Sequence, residues 1–126
     1  MPIRYARSYP HRLAVIVITG SFDPADLFRC LEQHRAEGGW AYGILCDLRP
    51  MTDTPTHEAL REFTDMMVVR PLREWAGGPV AILTTDLKTY NRACVYADMA
   101  KAYATIQVFQ DEADAEAWLS KSTRVK

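Results

Sequence analysis

Four times along this chain an apolar run is followed by a polar break and a capped helix start, and no other feature constrains the fold as strongly. Residues 13–19 lead to Asp23-Pro24, residues 42–48 to Thr54-Pro55, residues 79–84 to Asp86, and residues 106–109 to Asp111. An Asp or Thr at such a position accepts hydrogen bonds from the free N–H groups of a helix start, and a proline just inside the helix has no N–H to leave unpaired. Strands that alternate with helices pair in parallel through right-handed crossovers. Ahead of the first repeat, residues 3–8 alternate weakly and Tyr9-Pro10-His11 makes a turn, so the first two strands form an antiparallel hairpin at the sheet edge. The predicted order is ββαβαβαβα. It describes an α/β single layered domain over residues 1–126, with a mostly parallel central sheet, an antiparallel edge strand and helices packed on it. A chain of 126 residues suits one domain and can bury about two-thirds of its unfolded surface.

The helices are written in the spacing of apolar residues. Leu27, Phe28, Leu31 and Arg35 mark the first, ended by Gly38-Gly39. Leu60, Phe63, Met66, Met67 and Val69 mark the second, which Pro71 stops after Arg70. The third carries Tyr90, Ala93, Cys94, Ala97, Ala100 and Ala104, a mostly small-residue stripe expected to face the sheet. The fourth carries Ala115, Trp118 and Leu119, with Asp111, Glu112 and Asp114 at its start, where the helix dipole favours negative charge.

Several classes are excluded by composition and spacing. With 15 basic against 16 acidic residues and a net charge of -1, the chain lacks the excess of Lys and Arg that nucleic acid requires of a partner. Its longest apolar run falls far short of the roughly 20 residues that span a bilayer, so no stable membrane insertion is expected. Arg7, Pro10 and His11 interrupt the segment in which a secretory signal would lie, and the chain reads as cytoplasmic. Cys30, Cys46 and Cys94 form neither a disulfide framework nor a Cys-x-x-Cys motif. His11, His34 and His57 lack ligand spacing, so no metal site is predicted. Cys46 sits in an apolar strand, which predicts a packed thiol rather than a nucleophile served by His57. Gly38-Gly39 and Gly77-Gly78 precede strands and read as turns, not phosphate loops. No cofactor and no catalytic residue emerge, and the chain reads as not an enzyme. Asp47 with His57 is the one acid–base pair on offer.

In an open α/β sheet, the usable crevice lies beyond the carboxyl ends of the parallel strands. That rim comprises Gly20-Ser21-Phe22-Asp23, residues 47–56, Thr84-Thr85-Asp86 and Gln110-Asp111. Residues 47–56 are the richest part, with Asp47, Arg49, Thr52, Asp53, Thr54 and Thr56 close together and hydroxyls at a helix start, where backbone N–H groups stabilise a phosphate. Simpler roles stand beside this one. Asp23, Thr54, Asp86 and Asp111 serve as caps worth about 1 kcal/mol each, and Asp47 with Arg49 forms a structural pair.

Three segments resemble a known family. Ile44-Leu45-Cys46-Asp47-Leu48-Arg49, Gly78-Pro79-Val80-Ala81-Ile82-Leu83-Thr84 and, most specifically, Val108-Phe109-Gln110-Asp111-Glu112-Ala113-Asp114-Ala115-Glu116-Ala117-Trp118-Leu119 resemble the STAS-like family of small bacterial proteins. That family shares its SpoIIAA-like fold with the anti-sigma-factor antagonists and, more remotely, with SEC14-type lipid-binding domains. The resemblance implies a non-enzymatic regulatory or protein-interaction module. In the antagonists, a strand ending in Asp is followed by a phosphorylatable serine at the next helix start. Aligning Asp47 with that strand end brings Thr54 and Thr56 near the serine position, although Thr54-Pro55-Thr56 stands where the family has Asp-Ser-Ser. The alternative is a SEC14-like carrier of a small apolar molecule or lipid, with its pocket between the sheet and Met66, Met67 and Trp75, since Met adapts to its contents and Trp favours interfaces. The edge hairpin and the aromatic residues also offer surfaces for self-association as a homodimer.

Overall fold

A computed structural model describes residues 3–8, 13–21, 23–36, 43–69, 79–99 and 105–123. The strands are β1 (Ile3–Ser8), β2 (Leu13–Ile18), β3 (Gly43–Asp47), β4 (Val80–Leu83) and β5 (Ile106–Phe109). The helices are α1 (Pro24–Ala36), α2 (His57–Val69), α3 (Leu87–Met99) and α4 (Glu112–Thr123), and the elements follow one another in the expected order. The strands lie in one sheet in the order β1-β2-β3-β4-β5. β1 runs antiparallel to β2, with Ile3 opposite Ile18 and Ser8 opposite Leu13. Every later pairing is parallel, placing Ala14 beside Ile44, Ile44 beside Val80 and Val80 beside Ile106.

Because strand order follows chain order and crossovers share one hand, α1, α2 and α3 pack on one face, while α4, which closes no crossover, packs on the other. The core divides accordingly. Ala14, Ile16, Ile18, Ile44, Cys46 and Ile82 meet Leu27 and Leu31 of α1, Phe63 of α2 and Ala93 of α3. Leu45, Ala81 and Leu83 meet Ala115 and Leu119 of α4. β3 contributes to both clusters, which is why its sequence is apolar without alternation. β2 alternates instead: Ala14, Ile16 and Ile18 are buried, while Val15 and Val17 are half-buried because α4 lies against β3, β4 and β5. Trp118 packs on Phe109 with ring centroids 5.7 Å apart.

Three of the four expected caps are present. Asp23 Oδ1 accepts from the Ala25 N–H at 3.0 Å, Asp86 Oδ2 from the Thr89 N–H at 2.9 Å, and Asp111 Oδ1 from the Ala113 N–H at 2.8 Å. The expected cap at Thr54 is corrected. α2 begins at His57, and it is Thr56 Oγ1 that accepts from the Ala59 N–H at 3.0 Å. Pro55 is buried ahead of the helix, and the Thr54 hydroxyl turns instead toward α3. The expected inner face of α3 is also rotated. Thr89 and Ala93 are buried with Tyr96 half-buried, a row at i, i+4 and i+7, and this places Cys94 on the exposed side. Tyr9, Pro10, His11, Phe22, Gly38, Gly39, Trp40, Tyr42, Arg70, Pro71, Trp75, Gly77, Gly78, Ala100 and Ala104 lie outside the described residues, as do the side chains of His34, Arg35, Met66, Met67 and Val69.

Candidate functional site at the strand-end rim

The rim is assembled by the turn after β2. Gly20 has φ +73°, a left-handed conformation, and its carbonyl accepts from the Thr52 N–H at 2.8 Å while Gly20 bridges to Met51. A Cβ at Gly20 would meet nothing within 4 Å, so the requirement is purely conformational. Gly20→Ala is expected to cost about 1 kcal/mol, measured as a lower urea midpoint at unchanged slope. Beside it, Ser21 Oγ donates to Asp53 Oδ2 at 3.0 Å.

Asp47 ends β3 and its carboxylate is fully engaged by Arg49. Oδ1 accepts from the Arg49 backbone N–H and Nε, each at 3.0 Å, and Oδ2 from Nη2 at 2.9 Å. The same Nη2 donates to Glu112 Oε1 at 3.1 Å, joining the loop to the first turn of α4. Partial burial pushes the Asp47 carboxyl upward, but the Arg49 hydrogen bonds and charge outweigh it and hold the group below the usual carboxylate range. Arg49 is correspondingly harder to deprotonate, chiefly through its hydrogen bonds to Asp47. Asp47 and Arg49 are thus both ionised throughout the neutral range.

A third tie reaches α3. Thr54 Oγ1 lies 3.1 Å from Thr89 Oγ1 and donates to Asp86 Oδ2 at 3.5 Å. Asp86 also accepts from the Thr89 hydroxyl at 2.9 Å, and its carboxyl is lowered mainly by the Thr89 N–H and hydroxyl. Arg92 Nη1 donates to the Pro55 carbonyl at 2.6 Å. The loop from Arg49 to Thr56 is therefore fastened to the turn after β2, to α4 and to α3. Thr52, Asp53 and Thr56 remain exposed, whereas Thr54 is half-buried.

This arrangement brings all six predicted rim residues into one surface, in differing roles. Asp47 is held in an ion pair by Arg49, and His57 is exposed at the start of α2. Among the described residues no group of three or more His, Cys, Asp or Glu is arranged to hold a metal ion. Cys46 faces the helices of the larger core cluster, and burial pushes its thiol up to about 12; Cys30, half-buried, is pushed up to about 11 by the same cause. Since the thiolate is the reactive form, a disulfide dye at pH 8 is expected to label exposed Cys94 rapidly and Cys46 only on unfolding. Early labelling of Cys46 in the native chain would contradict this packing.

Beneath the rim, a cavity of about 50 Å³ lies between the sheet and α2 and α3, lined by Ile18, Leu27, Leu60, Phe63, Ile82 and Tyr96 among others. It is far smaller than the roughly 300 Å³ of a small-molecule pocket. Trp75 of the expected apolar pocket lies outside the described residues. Three partners in the rim went unread in the sequence. Thr89, three positions after the Asp86 cap, was findable from that spacing. Glu112, 63 positions from Arg49, and Arg92, 37 from Pro55, carry no local signal.

Among the described residues, the sheet order, the antiparallel edge pair and the four helices give a SpoIIAA-like fold. A structural match is the crystal structure of an uncharacterised protein from the DUF3478 family with a SpoIIAA-like fold from Shewanella loihica PV-4, with a TM-score of 0.63, 18% sequence identity, and coverage of 93% of this chain and 91% of that one. No family model and no curated protein matches the sequence. Among the described residues, no helix is long and apolar enough to cross a membrane.

Proposed function

We propose that the chain is a single-domain, cytoplasmic, non-enzymatic regulatory module that binds a protein partner through the loop from Arg49 to Thr56, and that Thr56 is the position at which phosphate regulates this surface. The observation carrying the reading is the contrast between the two threonines. Thr56 is exposed and caps α2, so a phosphate there meets the free N–H groups and positive dipole end of that helix. Thr54 is half-buried against the Asp86 carboxylate, where a phosphate would meet like charge. Fastening on three sides presents Thr52, Asp53 and Thr56 as a preformed face, which lowers the ordering cost of binding.

Incubation with ATP and an extract of the native cells, read by intact mass, tests this. One added phosphate is expected on the wild type and on Thr54→Ala, and none on Thr56→Ala. An extract that leaves the wild type unmodified sinks the switch, and phosphate retained by Thr56→Ala moves it to another residue.

A further inference from the structure

Among the described residues, the large apolar side chains left exposed are Leu87, Val95 and Met99, at 66%, 42% and 43% of full exposure, and all three lie on α3. With Asn91 they form an i, i+4, i+8, i+12 ridge about 18 Å long, the row that packs into a like row in the commonest class of helix pairing. The ridge is mirrored in sequence about Ala93. Leu87 and Met99 stand equally far on either side of it, as do Asn91 and Val95, and so do Lys88 and Asp98, which are both exposed. A two-fold axis at the level of Ala93 would therefore set Lys88 of each copy against Asp98 of the other and Leu87 against Met99. The antiparallel helix dipoles favour the same arrangement. Next to this face, an open groove of about 570 Å³ between α3 and the edge strand β5, lined in part by Cys94, Asp98, Ile106 and Val108, gives the flanking side chains of a second copy room to seat.

We infer that the exposed face of α3 is the contact surface of a two-fold homodimer, α3 packing antiparallel against α3. Self-complementary charge and apolar positions on one short helix are what an isologous contact requires. A contact of one helix per copy is small, so the dimer forms in the micromolar range or weaker. This surface is separate from the rim loop, and its failure leaves the proposed regulatory site standing.

Sedimentation of the full-length chain across a concentration series tests the inference. The wild type is expected to shift from monomer to dimer with rising concentration. Val95→Glu and Asp98→Lys are each expected to raise the dimer dissociation constant roughly tenfold or more, and the Lys88→Asp/Asp98→Lys double variant to return most of that loss. Thermal unfolding should show all three variants folded, since the altered side chains face solvent. A wild type still monomeric at ~1 mM, the concentration matched to the weakest specific complexes, overturns the proposal, as does a double variant no better than Asp98→Lys alone or a dimer that Val95→Glu leaves intact.

Discussion

Phe63→Ala is expected to destabilise the folded chain by about 4 kcal/mol and to lower its melting temperature by roughly 10–20 °C. Phe63 is 3% exposed, lies on the inner face of α2 and packs against Tyr96 of α3 with ring centroids 5.7 Å apart. Its removal therefore withdraws apolar burial and an aromatic pair together. The ring also borders the existing cavity of about 50 Å³. Truncation joins new space to old, and the surrounding Ile18, Leu60 and Ile82 cannot collapse fully from a sheet and two helices. That places the loss toward the upper part of the usual range for a buried Phe. Against a total stability of about 6–19 kcal/mol for a domain of this length, the variant should be marginal at 37 °C. Urea unfolding monitored by circular dichroism measures this. A loss below about 1 kcal/mol would show that α2 does not depend on this anchor.

Arg49→Glu is expected to cost about 2–3 kcal/mol at pH 7. The change removes the guanidinium donors held by Asp47 and Glu112, leaves the backbone N–H to Asp47, and sets a third carboxylate beside the two. Arg49 and Glu112 are 39% and 47% exposed, so solvent screening keeps the cost well below that of a buried pair. The pH dependence separates charge from packing. In the wild type, Asp47 titrates below its unfolded value, so its contribution is complete above about pH 4 and fades as pH falls through the depressed folded value. In the variant, protonation relieves the repulsion among the clustered carboxylates as pH falls. The stability gap between the two proteins should thus narrow from pH 7 to pH 4 in a urea series. A gap that widens on acidification would mean that the loop is held by something other than this charge cluster.

The fold was legible because each strand and helix advertises itself locally. The apolar runs of β3 and β4, and Asp23, Asp86 and Asp111 at helix starts, each depend on neighbours within four residues. The doubly covered β3 was legible too, since the unbroken run from Gly43 to Cys46 after a glycine break is what a strand packed on both faces shows. Where reading failed, the cause lay in tertiary contact. Thr54-Pro55 looks like a helix start, but Thr54 is drawn to Asp86 and Thr89 across a distance of more than 30 residues, and the cap moves to Thr56. Cys94 shares the small-residue stripe of α3 in sequence, yet the helix turns Thr89 and Ala93 inward and leaves Cys94 exposed. The rim followed the same rule. Asp47 and Arg49, two residues apart, could be paired on paper, whereas their third member, Glu112, arrives only through the packing of α4 on the other face of the sheet.

The central claim, that the exposed rim loop is a regulated surface with Thr56 as its switch, is met most directly by mapping phosphate on the chain isolated from its own cells without added kinase. Peptide fragmentation of the segment spanning Arg49 to Arg61 separates the two threonines. The account predicts that a fraction of molecules carries phosphate on Thr56 and that Thr54 is unmodified. Phosphate on Thr54 with Thr56 bare, or a segment free of phosphate under every growth condition sampled, would contradict it.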